Sequence, residues 1–226
     1  MKNFAALILA ALIVLAAPAA LADGSSTLTL TNPGSNVMGG VYVGPYTFTA
    51  TSGGQQSQVL LVCDDFTDDV FTGESWQAVT STIPSLTNAQ FAGLSQYEQV
   101  AYLTQQMFAN INNPQAVADI QWAIWDIFDP GISSNDPFGT ISAADQNNIA
   151  GWLAAAQTNA ANGDYADVLV FTPLAGTQPP QFGPPQEYVT VTPEPGTLAL
   201  FGIGLVTFGV IARRKLKAPP MRQNIA

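Results

Sequence analysis

Two hydrophobic periods run through the chain. Thr27-Leu-Thr-Leu-Thr31 alternates every second residue, the period of a strand with one buried face, and reads as an edge strand. Asn32-Pro-Gly-Ser35 is a turn, and Val41-Tyr-Val-Gly-Pro-Tyr-Thr-Phe-Thr-Ala50 resumes the strand pattern with a bend at Gly44-Pro45. After a reversal at Ser52-Gly-Gly-Gln55, Gln58-Val-Leu-Leu-Val-Cys63 is apolar on both faces, as a central strand would be, with Cys63 on the face of Val59 and Leu61. A further strand is predicted over Ser75 to Thr80. The alternating threonines at 27, 29, 31, 47 and 49 are explained by strand propensity.

The period then lengthens to that of helices. Ser95-Gln-Tyr-Glu98 has the spacing of a capping box, ahead of a stripe of Tyr97, Val100, Ala101, Met107 and Phe108. A second helix opens with Asn113 as N-cap and Pro114 in the first turn, and stops at Pro130-Gly131. A third starts at Ser142-Ala-Ala-Asp145 and ends near Asn162-Gly163. A last apolar strand, Val168 to Phe171, precedes a Pro-, Gln- and Thr-rich stretch, 173–192, that reads as an extended linker. Strands, then helices, then a strand predict an α+β domain over 23–172: an antiparallel, barrel-like sheet with an inserted three-helix segment.

Both ends of the chain carry targeting patterns. Residues 1–22 combine Lys2, an apolar run from Phe4 and a small-x-small site at Ala20-Leu-Ala22, which reads as a signal peptide removed by signal peptidase. Near the other end, Pro193-Glu-Pro-Gly196 precedes an uncharged run, Thr197 to Ala212, and a basic cluster of Arg213, Arg214, Lys215 and Lys217. A helix over that run reaches about 24 Å, short against a hydrocarbon core of about 30 Å. Local thinning and snorkelling cations would let it span, with the cations cytoplasmic and everything before Pro193 outside. The alternative is a buried helix of a soluble core. The absence of a polar face and the terminal cations favour the membrane.

Pro193-Glu194-Pro195, the Gly-rich apolar run and Arg213-Arg214-Lys215 resemble the PEP-CTERM sorting signal over 193–217. That resemblance implies recognition and cleavage by an exosortase, a membrane-embedded protease, in a Gram-negative bacterium that makes extracellular polysaccharide. The tail 218–226 is longer past the basic cluster than is usual for the signal. The expected fate is export, transient anchoring in the inner membrane, then release to the envelope or the extracellular matrix.

Charge sharpens this picture. Of 226 residues 6 are Lys or Arg and none is His, and every cation is Lys2 or lies at Arg213 and beyond, whereas the 16 acids run from Asp23 to Glu194. A domain with no internal cation repels nucleic acid and excludes a Ser-His-Asp or Cys-His catalytic pair, a His-ligated zinc and a lysine Schiff base. No cofactor is implied, and the chain is not expected to be an enzyme. A glycosidase pair such as Asp65 with Asp126 would need two carboxylates brought together, which no pattern here does. Cys63 is the one cysteine, so the chain has no internal disulfide.

Gln121 falls inside the apolar face of the second helix, among Val117, Ile120, Ile124, Ile127 and Phe128. An amide there costs a few kcal/mol unless it is hydrogen-bonded. It is either a satisfied core amide or a reactive one. Val62-Cys63 on a strand and Gln121-Trp-Ala-Ile-Trp125 on a helix resemble the thioester domain of bacterial surface adhesins, with Ile120 standing where that motif has Thr. The resemblance covers roughly residues 41–128 and implies a Cys63–Gln121 thioester, shielded by Trp122 and Trp125, that captures an amine-bearing surface ligand. Val41-Tyr-Val-Gly-Pro-Tyr46, Cys63-Asp-Asp-Phe66, Ala101-Tyr-Leu103 and Gln121-Trp-Ala-Ile-Trp125 also resemble a recurrent ectodomain of PEP-CTERM proteins, which implies no particular activity. A non-covalent structural or exopolysaccharide-associated matrix protein is therefore the alternative. Asp64-Asp-Phe-Thr-Asp-Asp69 reads as a solvated acidic turn. Calcium is the other possibility there, although the spacing lacks the Gly and distal Glu of an EF-hand loop, and no metal site is predicted.

Overall fold

The computed structural model describes residues 24–86, 88–91, 93–135, 139–179 and 183–192. The predicted signal peptide, the sorting segment with its apolar run 197–212, and the tail 218–226 lie outside the described residues. Among the described residues no helix is long and apolar enough to cross a membrane.

The elements in chain order are β1 (Gly24–Asn32), β2 (Val37–Met38), β3 (Val41–Tyr42), β4 (Tyr46–Ser52), β5 (Gln55–Cys63) and β6 (Ser75–Thr82). Helices α1 (Leu94–Ala109), α2 (Pro114–Phe128) and α3 (Ala143–Asn159) follow, then β7 (Val168–Pro173) and β8 (Tyr188–Val191). Six strands close an antiparallel barrel in the order β1-β4-β5-β8-β7-β6. The expected α+β class, with a barrel and three inserted helices, is what is observed.

Alternation sets the inside of the barrel. Leu28 and Leu30 of β1, Phe48 and Ala50 of β4, and Trp76 and Ala78 of β6 are all buried, while their neighbours face outward. Phe48, Trp76 and Tyr188 fill the interior with edge-on and tilted ring contacts.

Three expectations are corrected. The segment 27–31 is not an edge: Thr27 pairs with Thr51 on one side and Gln77 on the other. Alternation reports which face is buried and is silent on whether a strand's hydrogen-bonding flanks are covered. The predicted linker is also partly wrong, because its last residues form β8, which seats Val189 between Val62 of β5 and Val170 of β7. Four strand residues after a Pro-rich loop are too few to change the composition of the stretch. Finally, Ser95 and Glu98 do not cap α1. The break lies earlier, at Gly93 with φ 111, so the helix begins at Leu94 and Ser95 is already inside it. The caps on the other two helices form as expected, with Asn113 accepting from the Ala116 amide and Ser142 and Asp145 forming a capping box.

Helix α2 is the buried axis of the helical layer. Every residue from Val117 to Ile127 is buried, rather than one face, because α1 and α3 both pack on it and the β2–β3 ribbon covers a third side. Gly39 turns that ribbon at φ +64, and a Cβ there would collide with the Trp122 ring. The Trp122 indole in turn donates to the Met38 carbonyl at 3.3 Å. Cys63, the last residue of β5, and Gln121, in the middle of α2, are thus brought to the junction of barrel and helices.

Candidate functional site

Cys63 and Gln121 are both fully buried and in contact. The Gln121 Nε2 donates to the Cys63 carbonyl oxygen at 2.6 Å, whereas its Oε1 has no partner. The Cys63 thiol donates to the Asp65 carbonyl oxygen at 2.9 Å. Across the sheet its direct neighbour is Tyr188 of β8. Trp125, one turn beyond Gln121, lays its indole against the sulfur, and its buried nitrogen has no conventional acceptor. Three more orphaned polar atoms lie elsewhere, on Trp76 and Thr80 of β6 and on Glu74 just before it.

An aromatic wall surrounds the pair. Phe66 packs 5.3 Å from Trp122 and 5.0 Å from Trp125, and the two indoles meet edge to face at 5.2 Å. Of the two tryptophans expected to shield the site, Trp125 acts on the sulfur and Trp122 packs behind it on Trp125 and Phe66. Phe66 is a member that the sequence reading missed, although its position three residues after Cys63 was visible.

The solvated acidic turn is the main correction at the site. Asp64 and Asp65 are 0 % exposed, because the segments carrying Gln90 and Gln186-Glu187 bond to them and cover them. Asp65 is satisfied by the Thr67 amide and hydroxyl and by Gln90 Nε2. Asp64 has no N–H or hydroxyl donor, and its partner is the buried carboxyl of Glu187. Glu187 itself accepts from the hydroxyls of Tyr97 and Thr172 and from the Gln90 amide. A buried acid pair can persist only by sharing protons. Burial raises the Asp64 carboxyl well above the usual range, and the charges of Glu187 and Asp65 add to this; burial raises Glu187 as well. Glu187 could not be singled out beforehand, since it lay in the predicted linker. Among the described residues no group of three or more Cys, Asp or Glu side chains is arranged to hold a metal ion.

The same environment governs the sulfur. Burial first, then the charges of Asp64 and Asp65, push the Cys63 thiol well above its ordinary value, against the smaller opposing effect of the Asp65 carbonyl and the Trp125 indole. Cys63 is therefore a thiol and a poor nucleophile toward anything arriving from solvent. A thioester has no ionisable group, so the burial that penalises a thiolate does not penalise that bond. Asp65 and Asp126, considered as a hydrolytic pair, are engaged separately: Asp126 serves the Gly131 amide and both the amide and hydroxyl of Ser133.

Residues 191–215 match the PEP-CTERM protein-sorting motif. The motif implies recognition by exosortase, a membrane protein, and export with a membrane-anchored C-terminus before processing. It takes in Pro193, Glu194, Pro195, Arg213, Arg214 and Lys215, all outside the described residues, and it starts on the final residue of β8. No curated protein and no solved structure matches the chain.

Proposed function

We propose that this sorted, exported domain is a covalent binder that works once, through a thioester between Cys63 and Gln121. The observation that carries the reading is the half-satisfied amide: Gln121 is wholly buried against Cys63, and its carbonyl oxygen is left without a donor. An unpaired buried acceptor costs about 1–3 kcal/mol, and here that acceptor belongs to the amide held against the one thiol of the chain.

The reaction balances without a cofactor. The Cys63 sulfur attacks the Gln121 side-chain carbon, the C–N bond breaks, and ammonia leaves with the thiol proton. An external primary amine then attacks the same carbon. A new amide forms, the C–S bond breaks, and one proton of the amine restores the Cys63 thiol. The protein is consumed in this act, so it is a reagent and not an enzyme. Phe66, Trp122 and Trp125 keep water from the acyl carbon in the interval. Because no Lys lies between Lys2 and Lys215, the folded domain has no lysine with which to acylate itself.

A second reading has its own support. The Gln121 hydrogen bond to the Cys63 carbonyl is what an ordinary core amide would make, and a non-covalent envelope or polysaccharide-matrix component would need nothing more. Peptide mapping after exposure to methylamine separates the two. A thioester yields N-methylated Gln121 and an alkylatable Cys63, and Cys63→Ala abolishes the methylation. Unmodified Gln121 in the wild-type protein would leave the non-covalent reading.

A further inference from the structure

A cleft of about 360 Å³ lies near the end of β5, lined by neighbours of Cys63 and not by Cys63 itself. Small-molecule sites span roughly 300–1,000 Å³, so it has room for a short alkyl chain and not for a folded partner. Its floor is Tyr188, the cross-strand neighbour of Cys63, together with Trp125, whose indole touches the sulfur. Phe66 and the half-exposed Tyr42 form its aromatic sides, and Asp68 and Asp69 line it beside them.

The backbone at Asp68 is tied to the site through Gln186. Gln186 Nε2 donates both to the Asp65 carbonyl, which also receives the Cys63 thiol, and to the Asp68 carbonyl. Because no Lys, Arg or His lies between Lys2 and Arg213, no side chain of the domain can neutralise Asp68 or Asp69. Partial burial first, then Asp65 and, least, the charge of Asp69, raise the Asp68 carboxyl above its usual range. An aromatic box with uncompensated carboxylates is complementary to an alkyl ammonium, which gains both cation–π and ionic attraction there.

We propose that this cleft selects the nucleophile: it seats a primary alkylammonium between Asp68, Asp69 and the aromatic rings of Tyr42, Phe66 and Trp125, and delivers it to the acyl carbon of Gln121. This rests on the thioester reading and adds to it a specificity site. The bound ammonium gives up one proton to solvent. Its lone pair attacks the carbon, the C–S bond breaks, and a second proton passes to the sulfur. Phe66 and Trp125 line the cleft and Gln121 does not, so attack requires one of these rings to turn aside.

The test compares two nucleophiles on the processed protein recovered from cells expressing the full chain. 1,5-Diaminopentane is cationic at neutral pH, and hydroxylamine is not. In the double variant Asp68→Asn with Asp69→Asn, capture of the diamine should slow by about tenfold, while capture of hydroxylamine stays within about twofold. High salt should slow only the diamine, and only in the wild type. Equal slowing of both nucleophiles, or of neither, overturns the proposal. Hydroxylamine capture also shows that the variant is folded and its bond intact. If the wild type captures neither probe, the thioester reading itself fails and the cleft proposal falls with it.

Discussion

Gln121 and Asp126 stand on the same buried helix, a little over one turn apart, and the fold treats them differently. Asp126 is given three donors from the turn that follows the helix. Asp119, on the same helix, is likewise bonded by Gln115 and Asn148. Gln121 receives none at its carbonyl oxygen, and its amide nitrogen is bonded to the main chain of Cys63. On this helix the two aspartates are engaged and the amide oxygen of Gln121 is not, and that contrast singles out the position where α2 meets the end of β5.

The comparison can be broken most forcefully through the cross-link. A Cys63–Gln121 bond would join positions 58 residues apart in the chain. By the loop-entropy relation for cross-links, closing such a loop is worth about 4 kcal/mol. Treatment with methylamine should therefore lower the urea denaturation midpoint by a corresponding amount, and Cys63→Ala should start from the lowered value and not respond. If methylamine leaves the midpoint unchanged, no bond was present to open.

The structural half of the comparison is sharpened by Asp126→Ala. It strands the buried donors of Gly131 and Ser133 and should cost about 3 kcal/mol in stability. Amine capture by the molecules that remain folded should be unaffected. A selective loss of capture at full stability would place Asp126 in the reacting site, contrary to its bonding.

The third effect is a pH slope from the buried acid pair. The Asp64 carboxyl, and Glu187 with it, is raised in the folded state, chiefly by burial. The folded state thus binds protons more tightly than the unfolded chain, whose aspartates titrate near about 3.9. Stability is full below that value and is lost as pH rises through the raised folded value. Asp64→Asn keeps a donor for Glu187 and carries no charge. It should raise the thermal midpoint at neutral pH and flatten its dependence between mildly acidic and neutral conditions. A steeper slope in the variant would show that Asp64 is ionised in the folded protein.

Much of the fold was legible because local rules set it. The alternation at Thr27 to Thr31, the cap at Asn113-Pro114 and the box at Ser142–Asp145 each depend on neighbours within four residues. β8 did not, since Tyr188 to Val191 is a strand only because β5 and β7 lie on either side of it. At the site, Cys63 and Gln121 were visible as an isolated thiol and an amide on an apolar face. Trp125 followed from its place one turn from Gln121, and Trp122 only from the resemblance. Glu187 and the burial of Asp64 were not visible, because acids next to a turn look solvated until a distant segment covers them.

The decisive observation is the intact mass of the processed wild-type protein under non-reducing, mildly acidic conditions, read against Cys63→Ser processed in the same way. A thioester predicts that the wild type is lighter than its encoded mass by one ammonia while the variant is not, and that methylamine converts the wild type to a single adduct. The full encoded mass, with one thiol that titrates on denaturation, would contradict it.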